Sequence, residues 1–237
     1  MNIATERQTK LFEAIVNEFI STAEPVGSKY LVKKYSLDVS PATVRNDMSA
    51  LVNLGFLAMD HSSSGRYPTT LGLRVFLKEL MEEKELPIVQ EVAMKQRIWE
   101  ARFSPEKLLY ESSHALSELT ELLVVITTND GHVYSSGAHF LLDQPEFLDI
   151  DVTRTILHLS DNHNLIHEIL GRGKEDVNIL IGDELGLDNL APCSIIFSSF
   201  ERNNKKGHIS VIGPSRMHYE INIPALKSIK KLIEEVN

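Results

Sequence analysis

The sequence lacks the residues that several classes of functional site require. Cys193 is its only cysteine, which excludes an internal disulfide framework and a four-cysteine zinc site. Neither a G-x-x-x-x-G-K nor a G-x-G-x-x-G phosphate-binding loop occurs. No apolar run approaches transmembrane length, and the N-terminus lacks the apolar core of a signal peptide. We therefore expect a cytoplasmic protein that is not an enzyme.

Charge is distributed unevenly along the 237 residues, whose formal net charge is −9. Residues 1–80 contain nine Lys and Arg against eight Asp and Glu, whereas the remainder contains fifteen against twenty-five. Within residues 21–78 the balance is seven basic to four acidic, a net of +3. A mildly basic N-terminal module joined to an acidic body indicates nucleic-acid binding at one end of the chain.

The stretch from Ser40 to Gly55 predicts a helix with an unusual polar face. Ser40 is a favourable N-cap, Pro41 suits the first helical position, and Gly55 suits the left-handed residue that ends a helix. At 100° per residue the apolar face consists of Val44, Met48, Leu51 and Val52. The opposite face consists of Ala42, Asn46, Ser49 and Asn53, flanked by Thr43 and Arg45. These small, amide and guanidinium side chains can read base edges, although an ordinary amphipathic helix is the alternative.

The neighbouring segments favour the DNA-reading interpretation. A capping box at Thr5–Gln8 opens a first helix with a wide apolar stripe, and Ser28 opens a short second helix. With the helix after Ser40 they predict a helix-turn-helix. The following residues, 56–69, predict a β-hairpin around a Ser/Gly turn, which is the wing of a winged helix. The candidate DNA-binding residues are Lys29, Lys33, Lys34, Ser40, Thr43, Arg45, Asn46, Ser49, Arg66 and Tyr67.

These candidates divide by expected role. Arg45 and Asn46 lie early in the recognition helix and suit guanine and adenine edges. Phosphate contacts, which carry no sequence information, suit Lys33, Lys34 and Arg66. We place Arg66 at the tip of the wing. An exposed carboxylate would repel phosphates, so we expect Asp47 to cap or pair within the N-terminal module.

The composition changes to Glu and Lys at residues 81–86, and Pro87 then marks a boundary. We predict a winged helix-turn-helix domain over 1–85, helical linker or dimerisation helices over 86–121, and a regulatory and dimerisation domain over 122–237. Trp99 and its apolar neighbours on the helix at 88–101 belong either to the core or to a dimer surface. The last part alternates strands joined by hairpins with helices, which predicts an antiparallel α+β domain. Its closing helix is predicted at 224–236, where Leu226, Ile229 and Leu232 recur at helical spacing.

The chain resembles the HrcA family of bacterial heat-inducible transcription repressors, which act on chaperone operons. The similar motifs of the N-terminal part are Glu24–Ser28, Ser40–Met48, Leu54–Leu57 and Gly65–Thr69. Those of the remainder are Ser117–Thr120, Gln144–Phe147, Ile181–Glu184, Cys193–Ser194 and Gly213–Tyr219. The resemblance implies a winged helix-turn-helix followed by a GAF-like antiparallel sheet with helices. It also implies a homodimer on an inverted-repeat operator, and a chaperonin as a further partner.

The chain departs from that family after the first strand of the second domain. Ile126 leads through a short turn to Val133 and then almost directly to the Gln144–Phe147 motif. We therefore interpret the chain as a short variant that lacks the family's inserted domain, which is linked to dimerisation.

Other chemistry is weaker in this sequence. His158, His163 and His167 fall in one helical region but have no matching carboxylate or cysteine, so we predict neither a metal site nor a cofactor. We expect Cys193 to be a small buried residue at the start of a strand. Arg216 binds either an anion or, as we favour, backbone carbonyls. The alternative function is a ligand-sensing or protein-interaction module whose winged helix is a docking surface.

Overall fold

A computed structural model describes residues 5–59, 61 and 65–235, which form two compact units. The first unit is Met1–Glu82 and the second is Glu83–Asn237. We call them the head and the body. Among the described residues, no helix has the length and apolar character needed to cross a membrane.

The head contains four helices and a short hairpin. The helices are α1 (Glu6–Thr22), α2 (Ser28–Lys34), α3 (Pro41–Asn53) and α4 (Thr70–Glu79). The capping box at the start of α1 is confirmed, because the side chains of Thr5 and Gln8 each accept a hydrogen bond from the other's backbone N–H. The stripe of α1 is buried as predicted and includes Leu11, Phe12, Ile15 and Val16. Its apolar contacts with α3 fix the orientation of the helix expected to read DNA.

The hairpin of the head is shorter than the sequence predicts. Strands β1 (Leu57–Ala58) and β2 (Tyr67–Pro68) pair antiparallel over two residues each. Most of the predicted Ser/Gly turn, residues 62–64, lies outside the described residues. A third segment extends the pairing, because Val26 and Arg66 exchange both backbone hydrogen bonds, at 2.8 and 2.9 Å.

The body contains a five-stranded antiparallel sheet. Its strands are β3 (Leu123–Thr128), β4 (Val133–Ser136), β5 (Asn178–Ile181), β6 (Cys193–Arg202) and β7 (Lys205–Pro214). They lie in the order β4-β3-β7-β6-β5, and every neighbouring pair is antiparallel. The helices are α5 (Ile88–Glu100), α6 (Pro105–Thr120), α7 (Ile150–Asp161), α8 (His163–Leu170) and α9 (Tyr219–Glu235), with 3₁₀ turns at Ala138–Asp143, Pro145–Leu148 and Gly182–Leu185. The predicted α+β class, with a winged helix-turn-helix followed by a GAF-like sheet, is confirmed.

The two faces of the sheet are covered by different helices. Helices α6 and α9 pack on one face, where α6 contacts β3 and β4 and α9 contacts β6 and β7. Helices α7 and α8 cover the other face and share a core with it. That core includes Val125, Phe147, Ile156, Ile166, Ile195, Phe197 and Ile212. Because β3 is buried along its whole length, its sequence reads as a continuous apolar run followed by threonines.

The last helix starts earlier than predicted. The sequence predicts it at 224–236, but α9 begins at Tyr219 and contains Pro224 in its second turn. Pro224 has no N–H to donate to the carbonyl of Glu220. That carbonyl instead accepts the backbone N–H of Lys84 at 2.8 Å. The body therefore satisfies the freed carbonyl with a segment distant in sequence, which lets the helix continue through the proline.

Candidate nucleic-acid interface

Helix α3 presents one polar face to solvent and buries the other. The buried residues are Val44, Asp47, Met48 and Leu51. The exposed residues of its first three turns are Ala42, Arg45, Asn46 and Ser49. The helix starts at Ser40, whose hydroxyl accepts the Thr43 N–H at 3.1 Å, so the predicted N-cap is confirmed. Arg45 and Asn46 therefore project from the first turns of a helix whose position is fixed by packing.

Asp47 is drawn into the head, as the sequence predicts. Its two carboxylate oxygens accept hydrogen bonds from the Arg7 guanidinium at 2.8 and 3.0 Å, and Gln8 donates a longer one at 3.4 Å. The Asp47 side chain is only 7% exposed. A bidentate pair of this kind is directional as well as charge-neutralising. The one acidic side chain of α3 thus points away from the polar face.

The hydroxyl groups near the polar face already have local partners. The Ser40 and Thr43 hydroxyls lie 3.0 Å apart, and Ser40 also caps the helix. The Ser49 hydroxyl donates to the Arg45 carbonyl at 2.9 Å. These contacts use the Ser49 proton and one of the two protons of the Ser40–Thr43 pair, while the oxygens keep acceptor capacity. Of the predicted base-reading groups, the guanidinium of Arg45 and the amide of Asn46 are therefore the ones best able to donate to DNA.

The three predicted lysines of α2 differ in their contacts with the rest of the head. Lys29 and Lys33 are exposed on its surface. Lys34 instead forms a 2.6 Å ion pair with Glu18 of α1, whose side chain is only 5% exposed. Lys34 is therefore partly a structural residue, since it fixes α2 to α1. The proposed phosphate contact of Lys34 stays a prediction, and Lys29 and Lys33 are the freer cations of this helix.

Glu18 is the centre of a polar cluster that the sequence prediction missed. Its carboxylate also accepts the hydroxyls of Tyr30 and Tyr35, at 2.7 and 2.8 Å. Burial alone would raise the pKa of Glu18, but the hydrogen bonds from Lys34 and the tyrosines outweigh it and lower that pKa. Burial and the carboxylate raise the pKa of Tyr35 to about 12. The available signal was a glutamate within the apolar stripe of α1, because a charge there requires partners.

The wing residues differ from their predicted positions. Arg66, expected at an exposed tip, is only 7% exposed, so the tip position is wrong. The physical reason is the backbone bridge to Val26, which holds Arg66 against the rest of the head. Tyr67 is half-buried and stacks on Phe19, with ring centroids 6.2 Å apart. DNA contacts by Arg66 and Tyr67 stay predictions.

Cys193 and the histidines singled out in the sequence lie in the body. Cys193 is fully buried at the start of β6, as predicted, and burial raises the pKa of its thiol to about 12. His163 and His167 stack with ring centroids 5.3 Å apart. In the described part of the chain, no group of three or more His, Cys, Asp or Glu side chains could hold a metal ion.

Arg216 links two of the sequence motifs. Its guanidinium donates to Glu146 at 2.6 and 3.0 Å and to the Gln144 side chain at 2.9 Å. These bonds support the structural interpretation of Arg216, with Glu146 and Gln144 side chains among its partners. The pair joins the Gln144–Phe147 motif to the Gly213–Tyr219 motif.

Comparison with known proteins connects this architecture to a family. A family model described as the HrcA protein C-terminal domain matches residues 73–223, which is more than half of the chain. The chain belongs to the HrcA family. Two relatives named heat-inducible transcription repressor HrcA, from Carboxydothermus hydrogenoformans and Symbiobacterium thermophilum, are each 26% identical to it. They match over 98% of this chain and over 97% and 98% of their own lengths.

The HrcA relatives are longer than this chain. Their alignments extend over 333 and 335 residues against a chain of 237, so they contain segments with no counterpart here. A crystal structure of a hypothetical protein at 2.2 Å resolution has a similar fold, with a TM-score of 0.78 and 18% identity. It matches over 98% of both chains. That likeness shows that the fold of this HrcA-family chain occurs in an experimentally determined protein.

Proposed function

We propose that this HrcA-family chain is a transcription repressor that binds an inverted-repeat DNA operator as a dimer and controls heat-shock genes. The names of the two bacterial relatives support repression and heat induction. The DNA-binding role is supported by the head, a winged helix-turn-helix whose third helix has an exposed polar face.

The observation that carries the proposal is the separation of charges on α3. Arg45 and Asn46 are exposed, while the only acidic side chain of the helix is held by Arg7 on the buried side. An arginine can donate to both guanine acceptors, and an asparagine can pair with both groups of an adenine edge. Each such bidentate contact contributes about 1–3 kcal/mol of discrimination between bases.

The remaining contacts supply affinity rather than specificity. Lys29 and Lys33 project from α2, the helix that crosses the DNA backbone in a helix-turn-helix complex. Neutralising a phosphate releases counterions, which makes affinity depend on salt but not on sequence. The proposal therefore separates a base-reading pair on α3 from phosphate-binding lysines on α2.

The test begins with selection of preferred duplexes from random DNA by the full chain. Dissociation constants for a selected duplex and a scrambled one are then measured by gel shift at two salt concentrations. Arg45→Ala and Asn46→Ala should weaken binding to the selected duplex by about 5- to 150-fold while leaving scrambled binding nearly unchanged. Lys33→Ala should weaken both and reduce the salt slope by about one.

The control is Lys78→Ala, which removes an exposed lysine near the end of α4 without touching α2 or α3. Circular dichroism should show that all four variants keep the fold, because each altered side chain is exposed. If Arg45→Ala weakens selected and scrambled binding by the same factor, its base-reading role is wrong. If no duplex is enriched by the wild-type chain, the alternative of a protein-docking module is favoured.

A further inference from the structure

Helix α5 carries an apolar face that the fold does not use. Of the fifteen large apolar side chains that are exposed among the described residues, five lie between residues 88 and 103. They are Ile88 (78% exposed), Val89 (81%), Val92 (58%), Trp99 (53%) and Phe103 (80%). Four of them lie on α5, and Phe103 lies just beyond its end. A concentration of this kind is the signature of a contact surface rather than of scattered surface residues.

The spacing of these residues indicates what kind of partner fits them. Val89, Val92, Gln96 and Trp99 recur at intervals of three, four and three residues, the a and d positions of a heptad. We call these four residues the outer stripe. A stripe of this width fits a second helix packed nearly parallel or antiparallel to α5.

Helix α5 is already held in place by its opposite face. Met94 and Ile98 are buried against the body, and Arg97 donates to Glu111 and Glu118 of α6 at 2.5 and 2.9 Å. Two heptads alone would be too short to form a stable isolated pair in water. Here the helix is folded before it meets a partner, so association does not have to order its backbone.

Charges beside the outer stripe identify the partner as a second copy in parallel orientation. Lys95 and Glu100 flank the stripe five residues apart, the spacing of g and e positions that face each other across a parallel helix pair. Within one chain, Lys95 pairs with Glu91 at 2.5 Å, and Glu100 accepts a hydrogen bond from Gln96 at 3.1 Å. By two-fold symmetry, Lys95 of each copy would exchange this contact within its own helix for Glu100 of the other copy. An antiparallel pair would instead bring the two Lys95 side chains together, which is unfavourable.

We propose that the outer stripe of α5 pairs with the same stripe of a second copy in a parallel, two-fold helix pair. The polar Gln96 at a central a position would set the register and favour two helices. This inference rests on the proposed function only in that an inverted-repeat operator requires two heads. It names the residues, the orientation and the ion pairs of the dimer.

Disulfide trapping of the full chain tests the orientation. In a parallel pair Val89 meets its own copy, and so does Trp99, so Val89→Cys and Trp99→Cys should each give a disulfide-linked dimer on mild oxidation. In an antiparallel pair residue 89 lies opposite residue 99, about 15 Å from its own copy. Only a mixture of the two variants would then cross-link, which would overturn the parallel orientation. The buried Cys193 does not compete, and Gln90→Cys beside the stripe is the unreactive control.

Sedimentation of the full chain tests the surface itself. Val92→Glu would place two unpaired charges in the interface and should weaken the dimer at least about 100-fold. The matched control is Leu148→Glu at another exposed apolar position, which should remain dimeric. Lys95→Glu should weaken the dimer, and Lys95→Glu with Glu100→Lys should restore it. A dimer unaffected by Val92→Glu, or a monomeric wild-type chain, would overturn the inference.

The two proposals fail in different ways. A dimer that is trapped through Val89→Cys but enriches no DNA would overturn the proposed function and leave the interface intact. Sequence-specific binding that Val92→Glu does not weaken would overturn the interface and leave DNA recognition intact.

Discussion

The buried pair between Arg216 and Glu146 allows a direct test of what holds the body together. The guanidinium donates side-chain hydrogen bonds to Glu146 and to Gln144. The Arg216 and Glu146 side chains are only 11% and 16% exposed. Arg216→Ala would therefore leave a carboxylate and an amide without their cationic partner in a mostly desolvated site.

The size of the effect follows from this burial. Removing one partner of a buried ion pair typically costs about 3–5 kcal/mol. Because Glu146 keeps some access to water, we expect a value near the lower limit, about 3 kcal/mol. For a unit of this size, about 3 kcal/mol corresponds to a decrease of about 6–12 °C in the melting temperature.

The assay is thermal unfolding of the full chain followed by circular dichroism, with the transition of the body separated from that of the head. Arg154→Ala is the matched control, because Arg154 and Asp151 form an ion pair that is 69% and 62% exposed. That variant should lose less than about 1 kcal/mol. Replacing Arg216 and Glu146 together with Met and Leu should restore most of the stability. An Arg216→Ala variant as stable as Arg154→Ala would refute the reasoning.

Three further outcomes follow from local geometry. Burial raises the pKa of Glu220, but hydrogen bonds from His218 and the backbone outweigh it and lower that pKa to about 2. The stabilisation by Glu220 is therefore present above about pH 4.5 and is lost as the pH falls toward 2. In urea titrations, the free energy of unfolding of Glu220→Gln should decrease less over this range than that of the unaltered chain. Gly65→Ala should destabilise the head by about 1–3 kcal/mol in chemical denaturation, because a Cβ there would lie 2.5 Å from a backbone carbonyl, whereas Gly27→Ala meets nothing within 4 Å. Cys193 should react with a thiol reagent only as the body unfolds, and rapid labelling of the native chain would contradict its burial.

The fold was largely predictable because its local signals agree with its packing. Ser40, followed by proline, marks the start of α3 at the expected residue. The exposed and buried faces of α3 follow from helical period alone, and the pairing of Asp47 follows from the cost of exposing a carboxylate on a face that binds phosphates. In these segments the short-range pattern and the tertiary contacts favour the same conformation.

The errors occur where distant contacts decide the outcome. Arg66 reads as a loop-tip residue, but its bridge to Val26 buries it. Pro224 reads as a helix start, but a backbone N–H from Lys84 compensates for the missing bond and lets α9 begin earlier. None of these partners is within reach of a local pattern.

The contact between Lys84 and α9 lies at the very start of the body. Lys84 binds the carbonyl that Pro224 leaves free, and Glu83 forms a 2.6 Å ion pair with Lys227. These two residues directly follow the last residue of the head, so the connection between the head and the body is short. If the chain binds an operator as the proposed dimer, a short connection raises the effective concentration of the second head once the first has bound its half-site. We then expect melting of α9 to lengthen the connection and to lower operator occupancy on heating, even while both heads remain folded.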